Sequence, residues 1–225
     1  LSNTEEDMLD TVCSQFENVI VVVNANNAME LDWVDKYEQI GAVIYAPGAG
    51  ATGFEALGEI INGSVNPSGK TVDTFVKDYN NMGLNAYTNV DDLKNQIAKN
   101  DAAYEGSMGF VNYAEGIYVG YKFYETAAEE GLIQHEDTVQ YPFGYGLSYT
   151  TFDKTIENFK DNGDTVTFDV TVKNTGDVAG KDVIELYYTA PYTNGGIEKA
   201  SANLIAFEKT VTLDPGAAET KSITI

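Results

Sequence analysis

The hydrophobic pattern of this 225-residue chain changes at about residue 152. Before that point, short continuous apolar runs alternate with stretches in which apolar residues recur at helical spacing. After it, apolar residues recur at every second position, and turn-forming residues separate the runs. Because each pattern needs its own kind of core, we expect an open α/β sandwich domain over residues 1–150 and an all-β sandwich over residues 151–225.

The beginning of the chain predicts a helix followed by buried strands. Ser2 and Glu5 have the spacing of a capping box, and the apolar residues behind them predict a helix to about Glu17. The apolar runs 19–23 and 42–45 have strand length and no polar positions. Such runs are typical of parallel strands whose two faces are both covered.

Two further helices are predicted between and after these strands. Leu31, Trp33 and Val34 indicate a short helix. Residues 50–61 predict a longer one whose inner side carries Phe54, Leu57, Ile60 and Ile61.

The second part of the chain predicts a sandwich of short strands. Turn signals at 174–176, 194–196 and 215–216 separate runs with period two. The strands are expected at 165–172, 182–188, 203–213 and 221–225. Since a sandwich with an open edge is avoided in natural proteins, we expect this chain to be a fragment or another segment to complete the sheet.

Composition excludes several classes of function. Net charge is −22, and all 13 basic residues are Lys, so the chain lacks the Arg that usually contacts phosphates and bases. Nucleic acid is therefore excluded as a partner. No apolar run reaches the roughly 18 residues of a membrane helix, and no membrane partner is expected. The lone Cys13 is expected to be buried on a helix, and the lone His135 to lie in a surface loop, so we expect no metal site.

A glycine turn at 48–53 fits the G-x-G-x-x-G pattern of dinucleotide-binding proteins, with Asp73 at a suitable distance. However, Pro47 precedes the first glycine, and no apolar strand leads to Asp73. The motif also follows the second strand of the segment and not the first. We therefore interpret it as a tight turn between strand and helix and expect no cofactor, with a dinucleotide-binding oxidoreductase as a remote alternative.

Four ordered stretches resemble glycoside hydrolase family 3 β-glucosidases. Pro47–Lys70, with its N-P-S-G-K ending, and Tyr113–Tyr124, Y-A-E-G-I-Y-V-G-Y-K-F-Y, resemble the C-terminal α/β domain of that family. Tyr141–Thr150, Y-P-F-G-Y-G-L-S-Y-T, resembles its signature segment. Val172–Tyr187 resembles the fibronectin type III-like domain that follows. Lys70 and Lys122 stand where the family usually has Arg, and Lys cannot reproduce a bidentate contact.

This resemblance implies a parent enzyme that hydrolyses terminal β-D-glucosyl units of β-glucosides or oligosaccharides with retention. Retaining glycosidases need two carboxyls about 5 Å apart. The family implies a nucleophilic Asp on a separate (β/α)8 barrel, for which this chain has no room. The acid/base Glu of many members lies on a loop shortly before a segment like residues 1–12. We therefore expect both carboxylates outside this chain, and the chain alone to be inactive.

Glu115 is the one candidate for a catalytic carboxylate within the chain, since it lies in a family motif among Tyr113, Tyr118 and Tyr121. A structural role, bonding backbone amides or a Lys, is the favoured interpretation. Glu5 and Glu6 are first-turn helix residues, where the helix dipole stabilises them.

The aromatic segment 141–149 is the candidate for sugar contact, because aromatic rings stack on the apolar faces of sugars. For Tyr141, Phe143 and Tyr145, contact with substrate and packing between domains remain open alternatives. Packing is expected for Leu147 and Tyr149. A different class of function, a non-catalytic carbohydrate-binding or adhesion module, is the main alternative to the glucosidase.

Overall fold

A computed structural model describes residues 1–79 and 116–225, which form two compact units. The first unit comprises residues 1–48 and 73–142, and the second comprises residues 49–72 and 143–225. The segment 49–72 thus belongs with the β-rich part of the chain. The domain boundary at residue 150 stays a prediction.

In its described residues, 1–48, 73–79 and 116–142, the first unit has two short sheets and three α-helices. Its elements are α1 (Asn3–Gln15), β1 (Val19–Val23), a 3₁₀ helix (Asp32–Lys36), β2 (Ile40–Tyr45), β3 (Phe75–Val76), α3 (Tyr121–Glu129), the one-turn α4 (His135–Thr138) and β4 (Val139–Tyr141). The predicted capping box is present, since Ser2 and Glu5 bond reciprocally at the start of α1. β1 and β2 pair in parallel, whereas β3 and β4 form a separate antiparallel pair.

One face of β1 carries the core of the first unit. Val23 packs with Leu9 of α1, Trp33 of the 3₁₀ helix and Phe75 of β3, and all four are buried. The opposite face is exposed at Ile20 (48%) and Val22 (37%). The prediction that both faces of this strand are covered is therefore wrong for the described residues, because α1, the 3₁₀ helix and β3 all contribute to the cluster on one face. Cys13 is buried on α1, as expected.

The second unit contains α2 (Phe54–Ile61) and a β-sandwich. The helix begins later than expected because Gly50 has a φ of +63°, which a right-handed helix does not allow. Its expected inner side is confirmed in part, since Leu57 and Ile60 are half-buried whereas Phe54 is 42% and Ile61 49% exposed.

The strands of the sandwich are β5 (Phe152–Asp161), β6 (Val166–Asn174), β7 (Val183–Tyr188), β8 (Asn203–Lys209) and β9 (Ala218–Thr224). One sheet has the order β5–β6–β9 and the other β7–β8, with all neighbours antiparallel. Buried side chains of β6 and β7, among them Val170, Val172, Ile184 and Leu186, fill the core between them. Gly216, at a φ of +80°, makes the turn predicted at 215–216.

The mixed α/β fold without a barrel is confirmed. β5 was not predicted, and β8 is shorter than the run 203–213, although Thr210 and Leu213 continue the backbone pairing toward Asp182 and Gly180. Among the described residues, no helix is long and apolar enough to cross a bilayer.

Candidate functional site

Tyr141, the first residue of the candidate sugar-contact segment, closes β4 of the first unit. It is paired with Phe75 of β3, and the two rings meet edge-on with centroids 6.3 Å apart. Phe75 is buried, so this contact fixes one side of the Tyr141 ring. Tyr141 therefore packs on the core of its unit, and its contact with substrate stays a prediction.

Within the second unit, Thr71 bonds the backbone of the candidate sugar-contact segment at Gly144 and Tyr145. The Thr71 N–H donates to the Tyr145 carbonyl at 2.7 Å, and the Gly144 N–H donates to the Thr71 carbonyl at 2.9 Å. The Tyr145 N–H donates in turn to the Thr71 hydroxyl at 3.0 Å. Gly144 has a φ of +79°, which favours glycine. The backbone that carries Phe143 and Tyr145 is thus fixed by one neighbouring residue.

Lys70 provides a second attachment for the same segment. Its Nζ donates to the Gly146 carbonyl at 2.8 Å and lies 3.5 Å from Asp182 Oδ1. The Gly146 backbone passes so close to Gly69 that a Cβ on Gly146 would lie 2.1 Å from the Gly69 carbonyl oxygen. Lys70 therefore retains one ion pair and one hydrogen bond at a position where the resemblance leads us to expect Arg.

Asn66 provides the third attachment. Its Oδ1 accepts from the Ser148 hydroxyl at 3.0 Å and from the Tyr149 N–H at 2.8 Å. Its Nδ2 donates to the Ala179 carbonyl at 3.0 Å, which links the segment to the loop before β7. Sequence reasoning missed Asn66 and Thr71 as positioning residues, although Asn66 begins the Asn-Pro-Ser-Gly-Lys motif and Thr71 directly follows it.

The two residues expected to pack behave differently from each other. Tyr149 is half exposed, but its hydroxyl donates to the Ile60 carbonyl at 2.8 Å. Leu147 is 74% exposed, so the packing expected for it is wrong within the described residues. Its neighbours, and not Leu147 itself, bond the 66–70 turn: the Gly146 carbonyl accepts from Lys70, and the Ser148 hydroxyl donates to Asn66.

Two of the described carboxylates, Glu5 and Asp182, have structural partners that lower their pKa. Glu5 accepts from the backbone N–H and the hydroxyl of Ser2, and these bonds lower its pKa. Burial raises the pKa of Asp182, but hydrogen bonds from Lys154 and the Val183 N–H, and the charges of Lys154 and Lys70, outweigh it and hold the pKa low. Neither group suits a general acid near neutral pH, which needs a raised pKa. Glu115 lies outside the described residues.

His135 opens the short helix α4, so its predicted place in a loop is wrong. Its Nε2 lies 3.0 Å from Glu125 Oε1 on α3, and this contact orients the ring. In residues 1–79 and 116–225, no three His, Cys, Asp or Glu side chains cluster as a metal site would require.

The glycine turn does not have the surroundings of a dinucleotide site. β3, which follows Asp73, pairs antiparallel with β4 and does not extend the parallel β1–β2 sheet. Residues 62–72, all described, contain no strand either, so Asp73 does not follow a further parallel strand as a ribose-binding acid would. Its charge, second to burial, raises the pKa of Tyr45 at the end of β2. These observations favour the tight-turn interpretation.

Comparison with known proteins identifies the family. Residues 1–121 match the model of the glycosyl hydrolase family 3 C-terminal domain. β-Glucosidase A from Butyrivibrio fibrisolvens is 35% identical over 240 residues, covering 100% of this chain and 26% of that enzyme.

Two solved structures agree with this match. A β-glucosidase from Paenibacillus barengoltzii has a TM-score of 0.78 and 32% identity over 100% of this chain and 22% of its own. β-Glucosidase 3B from Thermotoga neapolitana, in complex with glucose, has a TM-score of 0.76 and 32% identity over 100% of this chain and 28% of its own. The chain thus spans about a quarter of the length of the relatives it matches. It belongs to glycosyl hydrolase family 3.

Proposed function

We propose that this chain is part of a retaining, exo-acting β-glucosidase that removes terminal β-D-glucosyl residues. The observation that carries the proposal is the match along the whole chain to proteins named β-glucosidase, at 35% identity for the Butyrivibrio fibrisolvens protein and 32% for the Ruminococcus albus protein. One structural relative, from Thermotoga neapolitana, was solved in complex with glucose.

The catalytic carboxylates lie in the remaining polypeptide, the nucleophilic Asp on a (β/α)8 barrel and the acid/base Glu on a loop before a segment like residues 1–12. Retention requires a nucleophile and an acid/base about 5 Å apart. Support comes from the structural partners of Glu5 and Asp182, whose lowered pKa values fit them for capping and ion pairing and not for proton donation. The match to only about a quarter of each relative leaves ample length for a barrel.

This chain walls the active-site pocket and braces the barrel. Phe143, Tyr145 and Tyr141 supply aromatic surface to the sugar, and Thr71, Lys70 and Asn66 hold the segment that carries Phe143 and Tyr145 in one conformation. Such pre-organisation favours binding because the segment loses little freedom when a ligand arrives. The β-sandwich is fibronectin type III-like.

The test is hydrolysis of an aryl β-glucoside by the full-length protein and, separately, by the 225-residue chain. We expect turnover with retained anomeric configuration, followed by NMR, from the full-length protein and none from the chain alone. Glu115→Gln in the full-length protein should leave kcat unchanged, as should the control Glu129→Gln on α3. Turnover by the isolated chain, or its loss in the Glu115→Gln variant alone, would overturn the proposal.

A further inference from the structure

Glu185 of β7 touches the candidate sugar-contact segment at Gly144. Its neighbours Ile184 and Leu186 are buried in the sandwich core, so the alternation of a strand turns the Glu185 side chain to the opposite face. A Cβ built on Gly144 would lie 2.2 Å from Glu185 Oε2 and 2.8 Å from both Oε1 and the carboxyl carbon. The carboxyl group therefore occupies the space beside Gly144 in which any other residue would place its side chain.

Tyr187 holds this carboxyl group in place. The Tyr187 hydroxyl donates to Glu185 Oε2 at 2.9 Å, and a bond to a charged acceptor is stronger than one between neutral groups. Lys70 and Lys154 line the same cavity of about 260 Å³ as Gly144 and Glu185, and their positive charges attract the carboxylate. The group that lies against Gly144 is thus anchored to the sandwich.

Gly144 has more backbone freedom than the residues on either side of it, because it has no Cβ. Its dihedral angles, with φ at +79°, set the direction of the Phe143 ring relative to the Tyr145 ring. Thr71 bonds the Gly144 N–H and the Tyr145 carbonyl, but hydrogen bonds at these two points leave the α-carbon side of Gly144 unrestrained. Glu185 supplies from outside the steric limit that a side chain on Gly144 would have supplied.

We propose that Glu185 is a positioning residue of the sugar site. Its carboxylate, held by Tyr187, limits the rotation of Gly144 and thereby sets the directions of the Phe143 and Tyr145 rings. This inference rests on the proposed function, in which both rings contact the sugar of a β-glucoside. Glu185 acts through the backbone of the segment, so its removal misplaces the rings and weakens sugar binding.

Amide hydrogen exchange in the full-length protein tests the positioning itself. The Gly144 and Tyr145 amides both donate to Thr71, so both are protected in the unmodified protein. In Glu185→Ala these two amides should exchange about tenfold faster, whereas the amide of Val170, in the central strand of its sheet, should keep its rate. Unchanged rates at Gly144 and Tyr145 would overturn the proposal. So would an equal acceleration at Val170, which would show that the whole sandwich is less stable.

Kinetics of the full-length variants test the effect on the sugar site. In Glu185→Ala, KM for an aryl β-glucoside and Ki for glucose as a competitive inhibitor should both rise about two- to tenfold, as expected when an aromatic contact is misplaced, with a smaller change in kcat. Glu185→Gln should recover most of this loss, because its amide keeps the shape and its oxygen still accepts from Tyr187. The control Glu198→Gln, at an exposed position, should have no effect. Unchanged KM and Ki in Glu185→Ala, or an equal loss in Glu185→Gln, would contradict the proposal.

Tyr187→Phe is a milder variant for the case that Glu185→Ala does not fold. It removes only the hydroxyl that anchors the carboxylate, so exchange at Tyr145 and Ki for glucose should change in the same direction by a smaller factor. No change in either quantity would overturn the proposal. The two proposals fail in different ways: an active enzyme with unchanged exchange rates refutes the positioning role alone. A full-length protein that hydrolyses no aryl β-glucoside refutes the proposed activity, and the exchange rates still decide whether Glu185 restrains Gly144.

Discussion

The Thr150 hydroxyl donates to Asn174 Oδ1 at 2.7 Å, and both residues are buried. Asn174 is 0% exposed, and the same oxygen accepts from the Gly176 N–H at 3.1 Å. Its Nδ2 donates to the carbonyls of Val178 and Leu213, both at 2.8 Å. One side chain at the end of β6 therefore joins the signature segment to two loops of the sandwich.

Replacing Asn174 by Ala should lower the free energy of unfolding by about 3 kcal/mol. The substitution leaves several buried groups without partners, and each such group costs about 1–3 kcal/mol. Urea denaturation of the chain would measure the change. Asn162→Ala is the matched control, since Asn162 lies in the exposed β5–β6 turn, and it should shift stability by less than about 0.5 kcal/mol. Equal effects of the two substitutions would contradict a special role for Asn174.

The Asp182 carboxylate should make stability depend on acid pH. Its pKa is held below the usual value by Lys154, the Val183 N–H and Lys70, against the opposing effect of burial. A carboxyl group whose pKa is lowered on folding stabilises the folded state at pH values above its unfolded pKa of about 3.9. This stabilisation is lost as pH falls through the pKa of the folded state. Asp182→Asn should therefore destabilise the chain at pH 7, and the difference from the unmodified chain should shrink below about pH 4.

Thermal unfolding between pH 3 and pH 7 would measure this difference. The control is Asp164→Asn, in the exposed turn after β5, which should follow the unmodified chain across the range. A stability gap between Asp182→Asn and the unmodified chain that stays constant from pH 7 to pH 3 would show that the loss of packing, and not of charge, is responsible.

The sequence predicted those elements whose signal is local. The period-two runs that predicted β6 and β7 are such signals, and so is the capping box at Ser2. The structure agrees with all three. β5 was missed because nine of its ten residues are exposed, which leaves little alternation to detect. Its pairing with β6, a tertiary contact, is what makes it a strand.

Predictions about which faces are covered were less successful, because a sequence pattern shows that a side chain is apolar but not what lies against it. Ile20 and Phe54 fit their expected elements, yet both are exposed in the described chain. The candidate site shows the same division. Its aromatic segment was evident from the motif, but Thr71 and Asn66 act through bonds to residues more than 70 positions away, and no local pattern encodes those.

Gly146 and Gly58 should respond oppositely to replacement by Ala. A Cβ at Gly146 would lie 2.1 Å from the Gly69 carbonyl oxygen, a backbone atom that cannot move without the whole turn. We expect a loss of about 2 kcal/mol or more for Gly146→Ala, as for other overpacked sites. Gly58 lies inside α2, and apart from the backbone of that helix and the two adjacent residues, no atom lies within 4 Å of the position that its Cβ would take. Gly58→Ala should therefore stabilise by about 0.5–1 kcal/mol. Chemical denaturation of both variants checks the two signs, and tolerance of Gly146→Ala would refute the close approach.

The aromatic segment offers a kinetic test of its role in the full-length enzyme. Phe143→Leu keeps an apolar side chain on the backbone that Thr71 fixes but removes the ring. If the ring stacks on the sugar, its loss should cost about 1 kcal/mol, which is about a fivefold rise in KM for an aryl β-glucoside. Initial rates over a range of substrate concentration give KM and kcat separately.

Tyr149→Phe is the matched control, since the Tyr149 hydroxyl bonds the Ile60 carbonyl and no sugar contact is predicted for it. It should leave KM unchanged and lower only the unfolding temperature. A structural role for Phe143 predicts the reverse for Phe143→Leu, namely an unchanged KM and a lower unfolding temperature. Because the two roles move different quantities, the pair of variants decides between substrate contact and packing, the alternatives that the sequence left open for this residue.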